Sequence, residues 1–315
     1  MGRALIFLKG KQYMERFWKM IRYFLSVLPA CRKLYKEYPF NIMSPEETID
    51  YIIRNKCSVT RFGDGEIGVI FQGRSTGFQE SNEELQKCLL EALCSRSPSL
   101  LVCLPLFLSP EKVNGEISFR AKRFWDFWSY DHLKKLYLLL EKQGKKNAQF
   151  GDTLISRPYI EWKNKKVHAD RIFPLLKKIW NDRDILIVEG TETRLGIGND
   201  LFANTKSIRR ILAPSENAFR KREDIIRAVE ENYHGELILL ALGPAATVLA
   251  HDFSKRNMQA IDIGHVDIEY CWYQLNVSRK VAIKGKYTNE VSNGKRNISQ
   301  CHDEIYRTEV IKIIS

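Results

Sequence analysis

Asp64 and Glu66 stand one residue apart in the turn Arg61-Phe62-Gly63-Asp64-Gly65-Glu66, between glycines that let the backbone bend. Two carboxylates so placed can approach one hard divalent cation, Mg²⁺ or Mn²⁺, and leave positions free for diphosphate oxygens. A cation held there neutralises the charge that grows on a departing nucleoside diphosphate, with Arg61, Gly63 and Gly65 bordering the bound nucleotide. An ordinary acidic surface turn has the same composition. The residues also match Gly-x-Gly-x-x-Gly at Gly63, Gly65 and Gly68, a dinucleotide pattern. Two features oppose a dinucleotide: the acids would face a pyrophosphate uncompensated, and Gly73 and Gly77 interrupt the helix that should follow.

Further groups fall where strands are expected to end. Gly243-Pro244-Ala245-Ala246 closes an apolar strand and opens a helix, whose first N–H groups and dipole would cradle a diphosphate. Arg157, in Ser156-Arg157-Pro158-Tyr159, can grip a phosphate through two N–H groups, with Asp152 close before it. Tyr159 or Trp162 could stack on a base, although both residue types are commoner in cores. Glu189 and Gly190 end another strand beside the nucleotide. His265, Asp267 and Glu269 alternate, so an extended chain would gather them on one side; one of them would deprotonate an acceptor hydroxyl or complete the metal shell.

The elements that must position these groups are legible in the pattern. Ser44, Pro45 and Glu47 form a helix start with a capping box before Ile49, Ile52 and Ile53. Strands are expected at 58–62, 100–104, 147–151, 184–189, 208–212, 236–242 and 259–263, alternating with helices at 82–95, 117–141, 168–181, 216–233 and 245–256. The runs at 185–188 and 237–241 are continuously apolar, as strands covered on both faces are. This is an α/β, Rossmann-like order: a mostly parallel sheet with helices on both faces and ligands at the carboxyl ends of the strands. The polar, basic tail 276–315 carries weak signals.

Residues 1–39 read as a basic amphipathic helical extension before a domain spanning 40–315. Met14, Phe17, Trp18, Ile21, Phe24, Leu25 and Leu28 share one helical face, with Arg16, Lys19 and Arg22 off it. Such a helix suits the surface of an anionic membrane, or packs on its own domain or a partner. No run approaches the roughly 18 apolar residues of a spanning helix, and Ala4–Leu8 is too short for a signal core. Seven unpatterned cysteines oppose a disulfide framework or zinc site and fit a cytoplasmic protein. The sequons at Asn276 and Asn297 then count as chance. The net charge of +12 favours anionic partners without choosing among nucleic acid, lipid and phosphorylated substrates.

The segment Ser58-Val59-Thr60-Arg61-Phe62-Gly63-Asp64-Gly65-Glu66 closely resembles the metal-binding Asp-x-Glu signature of the bacterial GT-D type glycosyltransferases. That family was first known as a domain of unknown function, in clusters that glycosylate surface adhesins or build surface polysaccharides. Residues 153–159, Gly243-Pro244-Ala245 and residues 262–267 also look like it, and the resemblance spans roughly residues 40 to 275. It implies a Rossmann-like domain that binds a UDP-sugar through Mn²⁺ or Mg²⁺, with Asp64 and Glu66 as the metal pair. The expected reaction moves a hexose, glucose or galactose, to a hydroxyl of a glycan acceptor. Glu269 or Asp267, with His265, would be the base if the reaction inverts; retention needs none. A lipid-linked acceptor at the inner membrane face would explain residues 1–39. Nucleic acid is not an expected partner, and a homo-oligomer is left open. The rival readings are a nicotinamide-dependent oxidoreductase using Gly63, Gly65 and Gly68, and a non-enzymatic basic protein that binds nucleic acid or membrane.

Overall fold

The computed structural model of the protein describes residues 14–113, 115–291, 294 and 303–315. Ala4–Leu8, the sequon at Asn297 and Cys301 lie outside them. The described residues divide into two compact units, one built from those within 42–106 and 149–315 and the other from those within 14–41 and 107–148.

The larger unit is organised by one sheet. Its strands are β1 (Asn41–Ile42, which begins in the smaller unit), β2 (Ser58–Arg61), β3 (Leu100–Leu104), β4 (Gln149–Asp152), β5 (Asp184–Gly190), β6 (Ser207–Ala213), β7 (Leu237–Ala241), β8 (Ala260–Asp262) and β9 (Val310–Ile313). They lie in the order β1-β4-β3-β2-β8-β7-β5-β6-β9, and from β4 to β9 each adjacent pair is parallel. β3 and β7 are buried along their whole length and β5 from Ile185 onward, which is why their sequences are apolar without alternation. From β2 the chain proceeds outward through β3 and β4. It then crosses to β5, and returns to the other flank of β2 only with β8. The order therefore reverses between β2 and β8, whose residues Val59 and Ile261 are in register. Ligands of such sheets bind in the crevice at that reversal.

Helix signals read from the sequence reappear in detail. Glu47 Oε2 accepts from Ser44 N–H at 2.7 Å and Ser44 Oγ accepts from Glu47 N–H at 3.1 Å, the expected capping box of helix Pro45–Asn55. Two short helices differ from expectation. Asp64–Gln72 is helical directly after β2 and stops at Gly73, whose φ of +60° suits a left-handed cap. Val266–Gln274 is helical too, so His265, Asp267 and Glu269 are not in extended chain; residues two apart diverge around a helix rather than sharing a face. The tail supplies β9, an added strand beside β6.

In the smaller unit residues 14–22, a π-helical turn Tyr23–Val27 and helix Leu28–Glu37 run on continuously, and a long helix spans Phe119–Lys142. Tyr23, Val27 and Cys31 are the buried face. Asp126 is the polar anchor: it accepts from Tyr23 Oη at 2.7 Å and Tyr35 Oη at 3.1 Å and pairs with Lys122. Of the apolar row, for which a membrane surface, a partner and the chain's own domain stood open, Met14, Phe17, Trp18, Phe24 and Leu25 are exposed while Ile21 and Leu28 are half-buried. Phe17, Trp18 and Leu25 are 59%, 62% and 75% exposed.

Candidate active site

The carboxyl end of β2 is fixed by Arg61. Its guanidinium donates to the Asp262 carbonyl at 2.8 Å, Asp262 Oδ1 at 2.7 Å and Ser156 Oγ at 2.5 Å, tying β2 to β8 and to the turn Thr153–Ser156. Asp262 also accepts from Gly264 N–H at 3.1 Å and lies 3.0 Å from the Thr247 hydroxyl. A side chain at Gly264, where φ is +47°, would fall on that guanidinium, so the backbone can pass only as glycine. Arg61 thus builds the crevice, and each of its three guanidinium nitrogens donates to protein.

Asp64 and Glu66 occupy the first turn of the helix after β2. Asp64 is exposed, with no hydrogen bond or ion pair among the described residues. Glu66 is half-buried and folds back, Oε2 accepting from Gly63 N–H at 2.8 Å. Burial pushes its pKa up to about 7, and nearby Asp262 adds to this while Arg61 opposes it. One acid is open to solvent and the other has an oxygen to spare and a penalty on its charge that a cation would relieve. The pair fits a hard cation as a partial donor set completed by substrate oxygens or water. Among the described residues there is no group of three or more His, Cys, Asp or Glu side chains arranged as a full metal shell.

The glycines do not serve a dinucleotide. A Cβ on Gly68 would meet nothing within 4 Å, and Gly65 would make only ordinary contact with Thr76. Gly243, with φ of +56°, instead admits the Phe78 ring where a side chain would stand, and Pro244, Ala245 and Ala246 are buried beneath the turn. Glu189 is wholly engaged: Oε1 accepts from Arg210 at 2.7 Å and Oε2 from Leu195 N–H at 2.6 Å. Gly190 lies against Ser215 and Thr193. These four positions, Gly243, Pro244, Glu189 and Gly190, are occupied by packing and ion pairing. Tyr159 and Trp162 are core as well; the Tyr159 hydroxyl donates to the Val277 carbonyl at 2.9 Å and Trp162 stacks on His168.

The structure separates the three candidate bases. Asp267 is buried with both oxygens bound, by Gly196 N–H at 3.0 Å, Asn199 Nδ2 at 2.7 Å and Lys286 Nζ at 2.5 Å. Glu269 is fully buried; Oε2 accepts from Tyr159 N–H at 3.0 Å and Ile160 N–H at 2.8 Å, while Oε1 has no hydrogen-bond partner. Burial pushes its pKa up to about 7, against the pull of Arg157, whose Nη1 lies 3.9 Å away. His265 is held neutral, its pKa lowered to about 3 by burial and by Arg157. Arg157, His265 and Glu269 are therefore brought together, and Asp267 is turned to another side. Asp152 caps its own turn through Oδ1, accepting from Leu154 N–H at 2.9 Å and Leu106 N–H at 3.1 Å. Two residues that the motifs did not indicate, Lys280 and Glu290, complete the group around Arg157.

A family model, glycosyltransferase GT-D fold, matches residues 59–291. The chain belongs to that family. GT-D relatives include a probable glycosyl transferase, Gly, of Streptococcus gordonii, 38% identical over 278 residues, covering 88% of this chain and 39% of the relative. A second, glycosyltransferase GlyD of Streptococcus pneumoniae serotype 4, is 36% identical over 267 residues, covering 84% of this chain and 31% of its own. This chain thus spans well under half the length of either. Among solved structures, the highly conserved domain of unknown function 1792, described as having a distinct glycosyltransferase fold, superposes with TM-score 0.83 at 35% identity, covering 92% of this chain and all of that one. A glycosyltransferase of the same domain family from Streptococcus sanguinis gives 0.77 at 38% identity, covering 88% of this chain and all of its own. The GT-D resemblance of the motifs and the Rossmann-like parallel sheet both stand, and the oxidoreductase reading falls with the family assignment and the idle Gly68.

Proposed function

We infer that this GT-D chain transfers a hexose from a UDP-sugar to a hydroxyl of a glycan acceptor, with Asp64 and Glu66 holding Mn²⁺ or Mg²⁺. The observation that carries the reading is the Asp-x-Glu pair on a helix start at the carboxyl end of β2, beside the reversal of strand order. A divalent cation there would offset the charge developing on the leaving diphosphate. Arg157 lies on the same crevice and supplies a second positive charge. If the reaction inverts, Glu269 is the base: an Oε1 with no hydrogen-bond partner and a pKa near neutrality suit it to take a proton from an acceptor hydroxyl. Arg61 holds the strand ends in place.

The test is a panel of UDP-sugars, hydrolysed with and without Mn²⁺, repeated on Asp64→Ala and Glu66→Ala. Turnover should require metal and fall by about a hundredfold or more in each variant, the scale of losing several kcal/mol of charge stabilisation. Activity without metal, or undiminished in both variants, excludes the assignment.

The outward aromatic row of the smaller unit supports a further part of this reading, peripheral contact with an anionic lipid surface that carries the acceptor. Phe17, Trp18, Phe24 and Leu25 are exposed beside Arg16, Lys19 and Arg22, the charge complement of such a surface. None of the helices among the described residues is long and apolar enough to cross a membrane. Replacing Phe17, Trp18 and Leu25 with serine should abolish flotation with vesicles containing phosphatidylserine; unchanged flotation refutes the contact.

A further inference from the structure

Glu290 is held as a ligand would be. Arg157, at the end of the turn Thr153–Ser156, and Lys280, beyond helix Val266–Gln274, both pair directly with its carboxylate, and His265 Nε2 lies 3.4 Å from Oε1. Lys280 also reaches Glu161 at 3.2 Å. The wall behind them includes Glu269, fully buried, whose Oε1 has no hydrogen-bond partner and lies 3.9 Å from Arg157 Nη1.

Here a guanidinium, an ammonium and a neutral imidazole from separate parts of the chain surround the same anion, and the two cations are shared with Glu161, 4.0 Å from Arg157 and 3.2 Å from Lys280. That donor set matches phosphate oxygens as well as it matches a carboxylate. Its place is the mouth of a parallel sheet, and Ser156, next to Arg157, holds Arg61 at 2.5 Å, so the cluster shares a wall with the strand end that carries Asp64 and Glu66.

The attachments of the tail permit exchange. Residues 285–288 are anchored independently: Arg194 donates to the Gly285 carbonyl at 2.7 Å, Lys286 pairs with Asp267 at 2.5 Å, and Tyr287 N–H donates to the Glu192 carbonyl at 2.9 Å. Glu290 follows these anchors, and its side chain can swing off Arg157 without undoing them. Burial pushes its pKa up, but Arg157 and Lys280 pull it well below the usual carboxylate range, so at neutral pH it competes as an anion.

We propose that Arg157, Lys280 and His265 form a diphosphate-binding site whose resident anion is the chain's own Glu290, which an incoming nucleoside diphosphate must displace. The nucleoside part rests on the UDP-sugar reading above; the anion site does not.

Titration calorimetry of the full chain with inorganic pyrophosphate and with UDP, on wild type and Glu290→Gln, tests this. If Glu290 fills the site most of the time, its removal should tighten both ligands about tenfold, because apparent affinity scales with the fraction of sites open. Lys280→Ala should weaken both. Equal or weaker binding in Glu290→Gln, with unchanged thermal unfolding, overturns the site. Tightened pyrophosphate with no UDP binding upholds the anion site and removes the UDP-sugar reading instead. A measurement without any variant guards against misfolding: the His265 ring resonances of the wild-type chain should shift as pyrophosphate is added. Bound pyrophosphate that leaves His265 unmoved overturns the proposal.

Discussion

Replacing Glu269 with glutamine isolates its charge from its architecture. Oε2 holds two backbone N–H groups, Tyr159 at 3.0 Å and Ile160 at 2.8 Å, and a glutamine carbonyl can accept both. Oε1 has no hydrogen-bond partner, so an amide nitrogen there breaks none. The variant should fold and bind donor as before, yet lose a proton acceptor worth about 10²–10⁴ in rate, or ~3–5 kcal/mol of barrier. The pH dependence sharpens the case. With its pKa pushed up to about 7 by burial, Glu269 is protonated in the folded chain at pH 6, so the wild-type transfer rate should fall below about pH 7. Stability carries the opposite sign. The unfolded carboxyl titrates near ~4.3, so between there and about 7 the folded chain keeps a proton that the unfolded chain has lost. Stability from this group is therefore lost as pH rises across that window, then levels off. Glu269→Gln cannot ionise, so it should shed that dependence and melt no lower than wild type at pH 8. The assay is transfer or donor hydrolysis at saturating UDP-sugar and Mn²⁺ from pH 5.5 to 9, with melting curves alongside. Turnover within tenfold of wild type, or an acid limb that survives the substitution, refutes Glu269 as the base.

Two glycines on this crevice should behave oppositely. Gly264→Ala puts a methyl group on the Arg61 guanidinium at a positive φ, and both melting temperature and turnover should drop markedly. Gly68→Ala meets nothing within 4 Å in a helix interior and should be neutral or stabilising by up to ~1 kcal/mol with activity intact, an outcome a dinucleotide fingerprint forbids. Arg210→Met leaves buried Glu189 and its neighbour Glu309 without their shared cation and should cost ~3–5 kcal/mol in urea unfolding. Adding Glu189→Gln to that variant should recover part of the loss, and no recovery would show that the stability lies elsewhere.

The sheet was legible because its information is local. Continuous apolar runs at 185–188 and 237–241 mark strands covered on both faces, and the Ser44–Glu47 box announces its helix in four residues. The place of the Asp-x-Glu pair was legible for a different reason: the sequence shows which residues follow a buried strand, and Asp64 and Glu66 do stand on the helix start at the carboxyl end of β2. Misreading began where one pattern serves two geometries. Alternating His265, Asp267 and Glu269 suit an extended chain. The turn at Gly264 starts a helix instead, sending Asp267 to Lys286 and Glu269 toward Arg157. Glu189 and Gly243 do stand at strand ends, and the helix expected after Gly243 begins at Pro244, but the partners of the two residues, Arg210 and Phe78, come from other elements that no local spacing announces.

Arg157 and Glu290 show most clearly why spacing alone stops short. They lie 133 residues apart, and Glu290 stands in a polar stretch with neither periodicity nor a motif around it. Composition did record that the chain carries twelve more cations than acids, but not where a cation would be matched and where it would face a ligand. That distinction is geometric. Arg61 and Arg157 are both arginines beside strand ends; the first reads as a border of the nucleotide and the second as a phosphate holder. Arg61 donates to backbone and to a carboxylate that Thr247 and Gly264 N–H also hold in place, so moving it would unpick β2 from β8. Arg157 is matched by a side chain on a tail segment whose own anchors lie elsewhere. Of two like residues, the one whose partner can leave is the one with chemistry to spare.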